Sequence, residues 1–400
     1  MEALKFLGFN ISRATIKPAS TQSTTDLFSN PTTSGVTITP NNALNISTVF
    51  SCIKVLCEGV SCLPVHLYRQ NKKEKIKAKD HPLYNILHLQ PNKEIVAVNL
   101  YETYVLHLCL RGVFYAQIIR SVGGKVLELI PLVPSRMQKV RLVNNSIGYI
   151  YADDKGTLHY FKKEDIFEVL GLSMDGFTPI STITYQRESL GLAKATETYG
   201  AKFFDNSANP SGVLETPTEL TDEAYKRLVD SWNAKHKGSS NASKVALLEG
   251  GTTWKQIGLS NEDSQFLETR KFQQTEICGI FKVPPHMIGI LEKSSFNNIE
   301  QQSMDFVVHT IMPYLLRFEQ NVSTQLLSET ERKEYFAKFS VDGLLRGDFE
   351  SRYKGYNMAR NMGVLSANDI REKEDMNPIE NGDIYLQPLN MGEAGKVSDE

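Results

Sequence analysis

The 400-residue chain has no surplus of either charge: 44 Lys plus Arg stand against 46 Asp plus Glu, a formal net charge of -2. The whole-chain electrostatics of a sequence-specific nucleic-acid binder are missing, so any DNA contact must be local or weak. No apolar run approaches the ~18 residues of a membrane span, which predicts a soluble chain with no membrane partner. Residues Met1 to about Thr39 are rich in Ser, Thr, Asn and Pro and lack the apolar core of a secretion signal, so they read as a flexible arm. The Asn-x-Ser sequons at Asn45, Asn241 and Asn321 carry no weight without a secretory route. The cysteines, Cys52, Cys57, Cys62, Cys109 and Cys278, are odd in number and form no Cys-x-x-Cys pair, which reads as reduced, packed thiols. Cys52, Cys57 and Cys62 are evenly spaced, but a helix turns about 100° per residue and aims their sulfurs apart.

Catalytic signatures are equally scarce. There is no His-Glu-x-x-His and no Gly-x-Ser-x-Gly. Gly392-Glu-Ala-Gly395-Lys396 resembles a phosphate loop, but it is too short and follows no apolar strand. Ser51-Cys-Ile-Lys54 matches a nucleophile string but lies in an amphipathic helical pattern without the Ser-Asp-Asn and Lys-Thr-Gly partners. His81 and His88 are seven apart and could share a helix face, with packing or capping favoured because no carboxylate completes a site. These absences predict no catalytic residue, no metal and no cofactor.

What is present is an ordered change of period, which predicts an α+β chain. Val49, Phe50, Ile53, Leu56 and Val60 recur at helical spacing before Pro64. Short β-branched and aromatic runs follow at 65–69, 113–120, 126–132, 140–143, 147–151 and 157–161, predicting an antiparallel meander beside a 96–110 helix. A helix over 186–206 carries Leu192, Ala195, Tyr199 and Phe203 on one stripe and Leu190, Lys194, Glu197 and Ala201 on the other, giving it two distinct surfaces. Asn206-Ser-Ala-Asn-Pro210 breaks it, and a small α/β segment follows, with a helix over 221–235 and strands at 244–248 and 253–258. Ser260-Asn-Glu-Asp263 opens a helix that Val283-Pro-Pro285 stops; on it Phe266, Ile277, Ile280 and Phe281 share a face with Arg270 and Gln273. A polar loop, His286 to Phe296, leads to Asn297-Asn-Ile-Glu300 and a long helix. There Met304, Val307, Val308, Ile311, Leu315, Phe318, Val322 and Leu326 form one apolar face, and Pro313 predicts a kink. Helices over 349–361 and from Ser366-Ala-Asn-Asp369 close the chain, and beyond Gly382 it is expected to fray.

Collinear segments over about Asn45 to Asn390 resemble the portal proteins of long-tailed bacteriophages. They are His81-Pro-Leu-Tyr-Asn-Ile-Leu with Pro91-Asn92; Leu110-Arg-Gly-Val-Phe-Tyr-Ala116; Leu129-Ile-Pro-Leu-Val-Pro134; Phe203-Phe-Asp-Asn-Ser-Ala-Asn-Pro-Ser-Gly-Val-Leu214; Ile280-Phe-Lys-Val-Pro-Pro-His-Met-Ile-Gly289; and Gly363-Val-Leu-Ser-Ala-Asn-Asp-Ile-Arg371. Val113, Asp205, Ser207 and Asp369 depart from the family's usual residues.

The resemblance implies a non-catalytic portal fold. Its parts would be an N-terminal arm (1–44), a β-rich wing (45–185), a first stem helix (186–209), a small α/β clip (210–259) and a second stem helix (260–282). A tunnel loop (283–297), a kinked helix with return to the wing (298–345) and a helical crown with tail (346–400) would follow. It also implies a homo-oligomeric ring, a dodecamer in the virion, at one capsid vertex, assembled in the host cytoplasm. Its partners would be the terminase large subunit, a head-tail connector or adaptor protein, the major capsid protein or scaffold, and double-stranded DNA passing through the channel. Lys293, Ser294, Ser295, Asn297 and Asn298 are the residues expected to line that channel. Two readings compete: a phage DNA-metabolism enzyme such as a nuclease or capsid protease, and a related capsid or connector protein, for which Val283 to Leu327 is the discriminating segment.

Overall fold

The computed structural model describes residues 31–71, 74–142, 144–205, 212–217, 220–236, 253–256, 261–290, 302–341, 349–374 and 376–386. Helix α1 (Ser47–Ser61) buries Val49, Cys52, Ile53, Leu56 and Val60, the three- and four-residue stripe of its sequence. Phe50, expected on that stripe, is 53% exposed because one helical step turns it about 100° away from Val49. The chain continues through β1 (Val65–Asn71), β2 (Glu74–Lys77), α2 (Pro82–His88), α3 (Ala97–Arg111), β3 (Val113–Arg120) and β4 (Val126–Leu132). Then come β5 (Met137–Arg141), β6 (Ile147–Ala152), β7 (Leu158–Lys162), β8 (Ile166–Leu170), α4 (Thr182–Tyr185) and α5 (Arg187–Asp205). Strand β9 (Gly212–Glu215), α6 (Asp222–His236), β10 (Thr253–Gln256) and α7 (Asn261–Phe281) precede α8 (Met312–Gln325), β11 (Tyr335–Phe339), α9 (Phe349–Asn361) and α10 (Ala367–Lys373).

The expected single meander is instead three small antiparallel sheets, ordered β11-β1-β2, β4-β3-β8 and β5-β6-β7. The reason lies in β3. Successive strand residues face opposite sides, and both sides of β3 are buried: Phe114, Ala116 and Ile118 enter the main core, while Val113 and Tyr115 enter a second one with Leu132, Tyr149 and Ile166. A strand sandwiched between two layers takes β8 as a neighbour rather than only the next strand in sequence. Strand β5 also lies earlier than the expected 140–143, because Arg141 pairs with Ile147 and the chain turns there.

Aromatic side chains join the layers. Phe318 of α8 is fully buried with its ring centroid 5.2 Å from Tyr101, 5.1 Å from Tyr104, 5.4 Å from Phe167 and 5.8 Å from Phe339, each edge to face. One ring thus couples α3, β8, α8 and β11. Beside the second core, Lys139 Nζ lies 2.9 Å from both oxygens of Glu168, which also accepts from the Tyr149 hydroxyl at 2.8 Å. Gly112 closes α3 with φ 74°; a Cβ there would stand 2.1 Å from the Ile180 carbonyl oxygen, so only glycine fits the approach.

Two further expectations change. Residues 31–44, read as part of a flexible arm, pack onto the body: Thr32, Ile38 and Ala43 are buried, and the Thr33 amide donates to Glu188 of α5 at 2.9 Å. The long helix interrupts its regular hydrogen bonding at Val307–Ile311, a π turn in which the Met312 amide donates to the Val307 carbonyl. This sits directly before Pro313, which has no N–H for the His309 carbonyl. The wider turn shifts the helical phase. Val307, Ile311, Leu315, Phe318, Val322 and Leu326 are buried as expected, whereas Met304 and Val308, expected on the same face, are each 51% exposed.

Candidate functional site

The polar loop between α7 and the long helix is the segment singled out by sequence. Lys293, Ser294, Ser295, Asn297 and Asn298 lie outside the described residues. The entry end of the loop is described, and so is the chain from Gln302 onward. On the entry side Ile277, Cys278, Phe281 and Val283 are buried, so α7 delivers the chain from the main core. Pro284 and Pro285 end the helix, since neither can donate to its ladder, and a 3-10 turn over Pro285–Ile288 follows. On the exit side Gln302 Oε1 lies 3.1 Å from His286 Nδ1, and the Thr310 hydroxyl donates to the Lys282 carbonyl at 2.9 Å. Residues sixteen and twenty-eight apart in sequence are thus tied across the loop base. The described segments before and after the loop are thereby joined to one another.

Helices α5 and α7 form the second element of the site. They pack closely where Gly200 meets Phe266: a Cβ on Gly200 would come within 3.1 Å of the Phe266 ring. Of the two predicted faces of α5, the one containing Leu190, Lys194 and Glu197 turns inward. Leu190 and Ala193 are buried, Lys194 Nζ donates to the Asn45 carbonyl at 3.4 Å, and the Ser47 hydroxyl donates to Glu197 at 3.2 Å. The apolar stripe is divided: the Tyr199 ring lies 5.5 Å from Phe266 of α7 on one side yet stays 60% exposed, while Leu192 is 50% and Phe272 of α7 70% exposed. On α7, Gln273 is buried with its Nε2 lacking a hydrogen-bond partner, in line with the mixed face that its sequence showed. Beyond this pair, β9 and β10 form a two-stranded antiparallel ladder, Glu215 opposite Thr253. The expected 244–248 strand lies outside the described residues.

The titrating groups that sequence raised have structural duties. His81 caps α2 by accepting from the Leu83 amide at 3.2 Å, and its Nε2 lies 3.2 Å from Glu331. His88 contacts the Val65 carbonyl through Nδ1 at 2.9 Å and stacks 4.8 Å from His66. Burial, with Lys77, His88 and Lys79 nearby, pushes the His66 pKa down to about 4. Burial and then Arg111 push that of His107 to about 4 as well. Lys54, of the Ser51-Cys-Ile-Lys54 string, pairs with Glu58 on the same helix at 3.6 Å. Four of the five thiols are buried and Cys62 is exposed, so the evenly spaced sulfurs diverge. Among the described residues no three His, Cys, Asp or Glu side chains are grouped to hold a metal ion, and no helix is long and apolar enough to cross a membrane.

Two comparisons with known proteins give the family of the chain, and a third gives its fold. The family model described as phage portal protein matches residues 47–375. The chain is 32% identical over 381 residues to a probable portal protein of Streptomyces phage phiC31, covering 91% of this chain and 82% of that protein. It is 30% identical over 354 residues to the portal protein of Enterobacteria phage HK97, covering 88% and 83%. Its fold is similar to that of a chain in the neck of an empty gene transfer agent particle, with a TM-score of 0.64 at 24% identity over 84% of this chain and 94% of the other.

Proposed function

We propose, from the premise that this chain belongs to the phage portal protein family, that copies of it form a ring whose central channel carries double-stranded DNA into and out of the capsid. The ring would be a dodecamer at one capsid vertex of the virion, assembled in the host cytoplasm. It would dock the terminase large subunit during filling, the head-tail adaptor afterwards, and the major capsid protein or scaffold around its rim. In this reading residues 45–185 are the wing, α5 and α7 the stem, residues 210–259 the clip, and α9 with α10 the crown.

The observation that carries the reading is the loop base. A loop that starts from a buried helix end and is cross-tied by the His286–Gln302 and Thr310–Lys282 bonds can project side chains into a lumen without being pulled along by a moving duplex. Lys293, Ser294, Ser295, Asn297 and Asn298 supply one cation and four neutral hydrogen-bonding groups. That chemistry suits transient contact with phosphates. A densely basic lining would release counterions and hold the DNA in place. The outward stripe of α5 and α7 then faces a neighbouring copy, since closed rings are built from repeated heterologous contacts.

The test replaces Lys293 with Glu and, separately, removes residues 293–295, then measures DNA packaging and genome retention in assembled particles. A fall in either is expected, larger for the shortened loop. Unchanged packaging and retention in both variants would refute the assignment of the loop to the channel.

A further inference from the structure

Away from the loop and the α5–α7 pair, four separate segments surround a cleft of about 620 Å³. They are the N-terminus of α2, the β3–β4 hairpin turn, the short turn between β7 and β8, and the chain leaving α8. The floor is apolar, with Leu83, Val126, Leu326 and Leu327 each no more than 5% exposed. The walls bring Arg120, Lys125, Lys163 and Arg332 to one place.

The partners of these four cations decide what the cleft can take. Arg120 donates to the Gly124 and Gln325 carbonyls at 3.1 and 2.7 Å. Arg332 donates to the Leu327 carbonyl at 3.1 Å and to the Thr324 carbonyl. Neutral carbonyls fix both guanidinium groups in position without cancelling their charge. Lys125 and Lys163 have no carboxylate partner among the described residues. Each of the two wall carboxylates has a partner: Glu331 has His81 and the Ser328 hydroxyl, which also line the cleft, and Glu164 has Lys162. The result is a positively charged, concave site with a dry floor and two pre-oriented forks of the kind that match carboxylates.

We propose that this cleft docks a short acidic segment of a partner protein, with carboxylates on the Arg120, Lys125, Lys163 and Arg332 wall and an apolar side chain on the Leu83–Leu327 floor. A peptide fits better than nucleic acid because an apolar floor gives nothing to a phosphate chain, whereas a peptide can alternate carboxylate and apolar groups. The proposal is independent of the channel assignment, since none of its residues belongs to the loop or to α5 and α7.

Fluorescence anisotropy of the full-length protein tests it with three fluorescein-labelled probes: an octapeptide alternating Glu and Leu, an octapeptide alternating Gln and Leu, and a single-stranded oligonucleotide with the charge of the first. The Glu-Leu peptide is expected to bind, and its Kd to rise at least tenfold in the Lys125→Glu/Lys163→Glu double variant, which keeps the backbone hydrogen bonds of both residues and changes only exposed side chains. The Gln-Leu peptide is expected to bind at least tenfold more weakly. Absence of Glu-Leu binding, equal affinity for Gln-Leu, an unchanged Kd in the double variant, or tighter binding of the oligonucleotide would each overturn the proposal.

Discussion

In the body built from α1, α3, β3, β8, α8 and β11, the large apolar side chains are enclosed by a single copy of the chain: Phe114, Phe167 and Phe318 are all fully buried. In the α5–α7 pair the corresponding side chains point outward, with Leu192, Tyr199 and Phe272 half exposed or more. The first region has its complete core within one subunit. The second has two packed helices and an apolar face still in water, which costs about 25 cal/mol for each Å² left uncovered. The contrast teaches that substitutions in the body should act on folding, and substitutions on the outward stripe on association.

The largest effect is expected in the body. Phe318→Ala removes the ring that touches four other aromatics and should lower stability by about 3–5 kcal/mol, read as a drop in the denaturant midpoint; a loss below about 1 kcal/mol would show that the aromatic hub is not the keystone of this core. Ser366→Ala removes the cap of α10, where the Ser366 hydroxyl accepts from the Asp369 amide at 3.0 Å and the Asp369 carboxylate accepts from the Ser366 amide at 2.7 Å. About 1 kcal/mol is expected, again by chemical denaturation.

Acid sharpens the comparison further. His66 and His107 both have folded-state pKa values of about 4 against an ordinary 6.5, so between these limits the unfolded chain binds more protons than the folded one. Their neutral forms therefore stabilise the body fully above pH 6.5, and that contribution falls as pH drops toward 4. Thermal unfolding should show a Tm that declines across this window, with a shallower decline in His107→Leu; parallel slopes in the two proteins would remove the imidazole from the account. The smallest effect on folding belongs to the outward stripe. Leu192→Asp with Phe272→Asp should leave the unfolding free energy of the dissociated subunit within about 0.5 kcal/mol of the parent, while sedimentation velocity shows loss of the ring-sized species that the proposed assembly requires.

Regular periodicity made much of this architecture legible in sequence. The α1 stripe apart from Phe50, the 3.6-residue pattern of α8 and the Ser366–Asp369 box each rest on local spacing, and each appears at its expected place. Non-local features were harder to read. Strand β2 is Glu-Lys-Ile-Lys with every residue exposed, so it had no apolar alternation to signal it. The pairing of β1 with β11 joins residues about 270 apart, and no local pattern encodes it. Pro313 marked where the long helix would be disturbed, but not that the disturbance takes the form of a π turn that turns Met304 and Val308 outward. For the candidate site, sequence singled out residues 286–296, of which 291–296 lie outside the described residues. It did not reveal the His286–Gln302 tie, because a hydrogen bond between two ordinary polar residues has no sequence signature.

The central claim, that the function resides in an assembly and its channel, is tested most directly by negative-stain electron microscopy of the purified full-length protein, with DNA incubated alongside in the presence of a divalent metal. The account predicts rings with a central hole wide enough for a duplex and intact DNA. A monomeric protein that cleaves the DNA only when metal is present would contradict it.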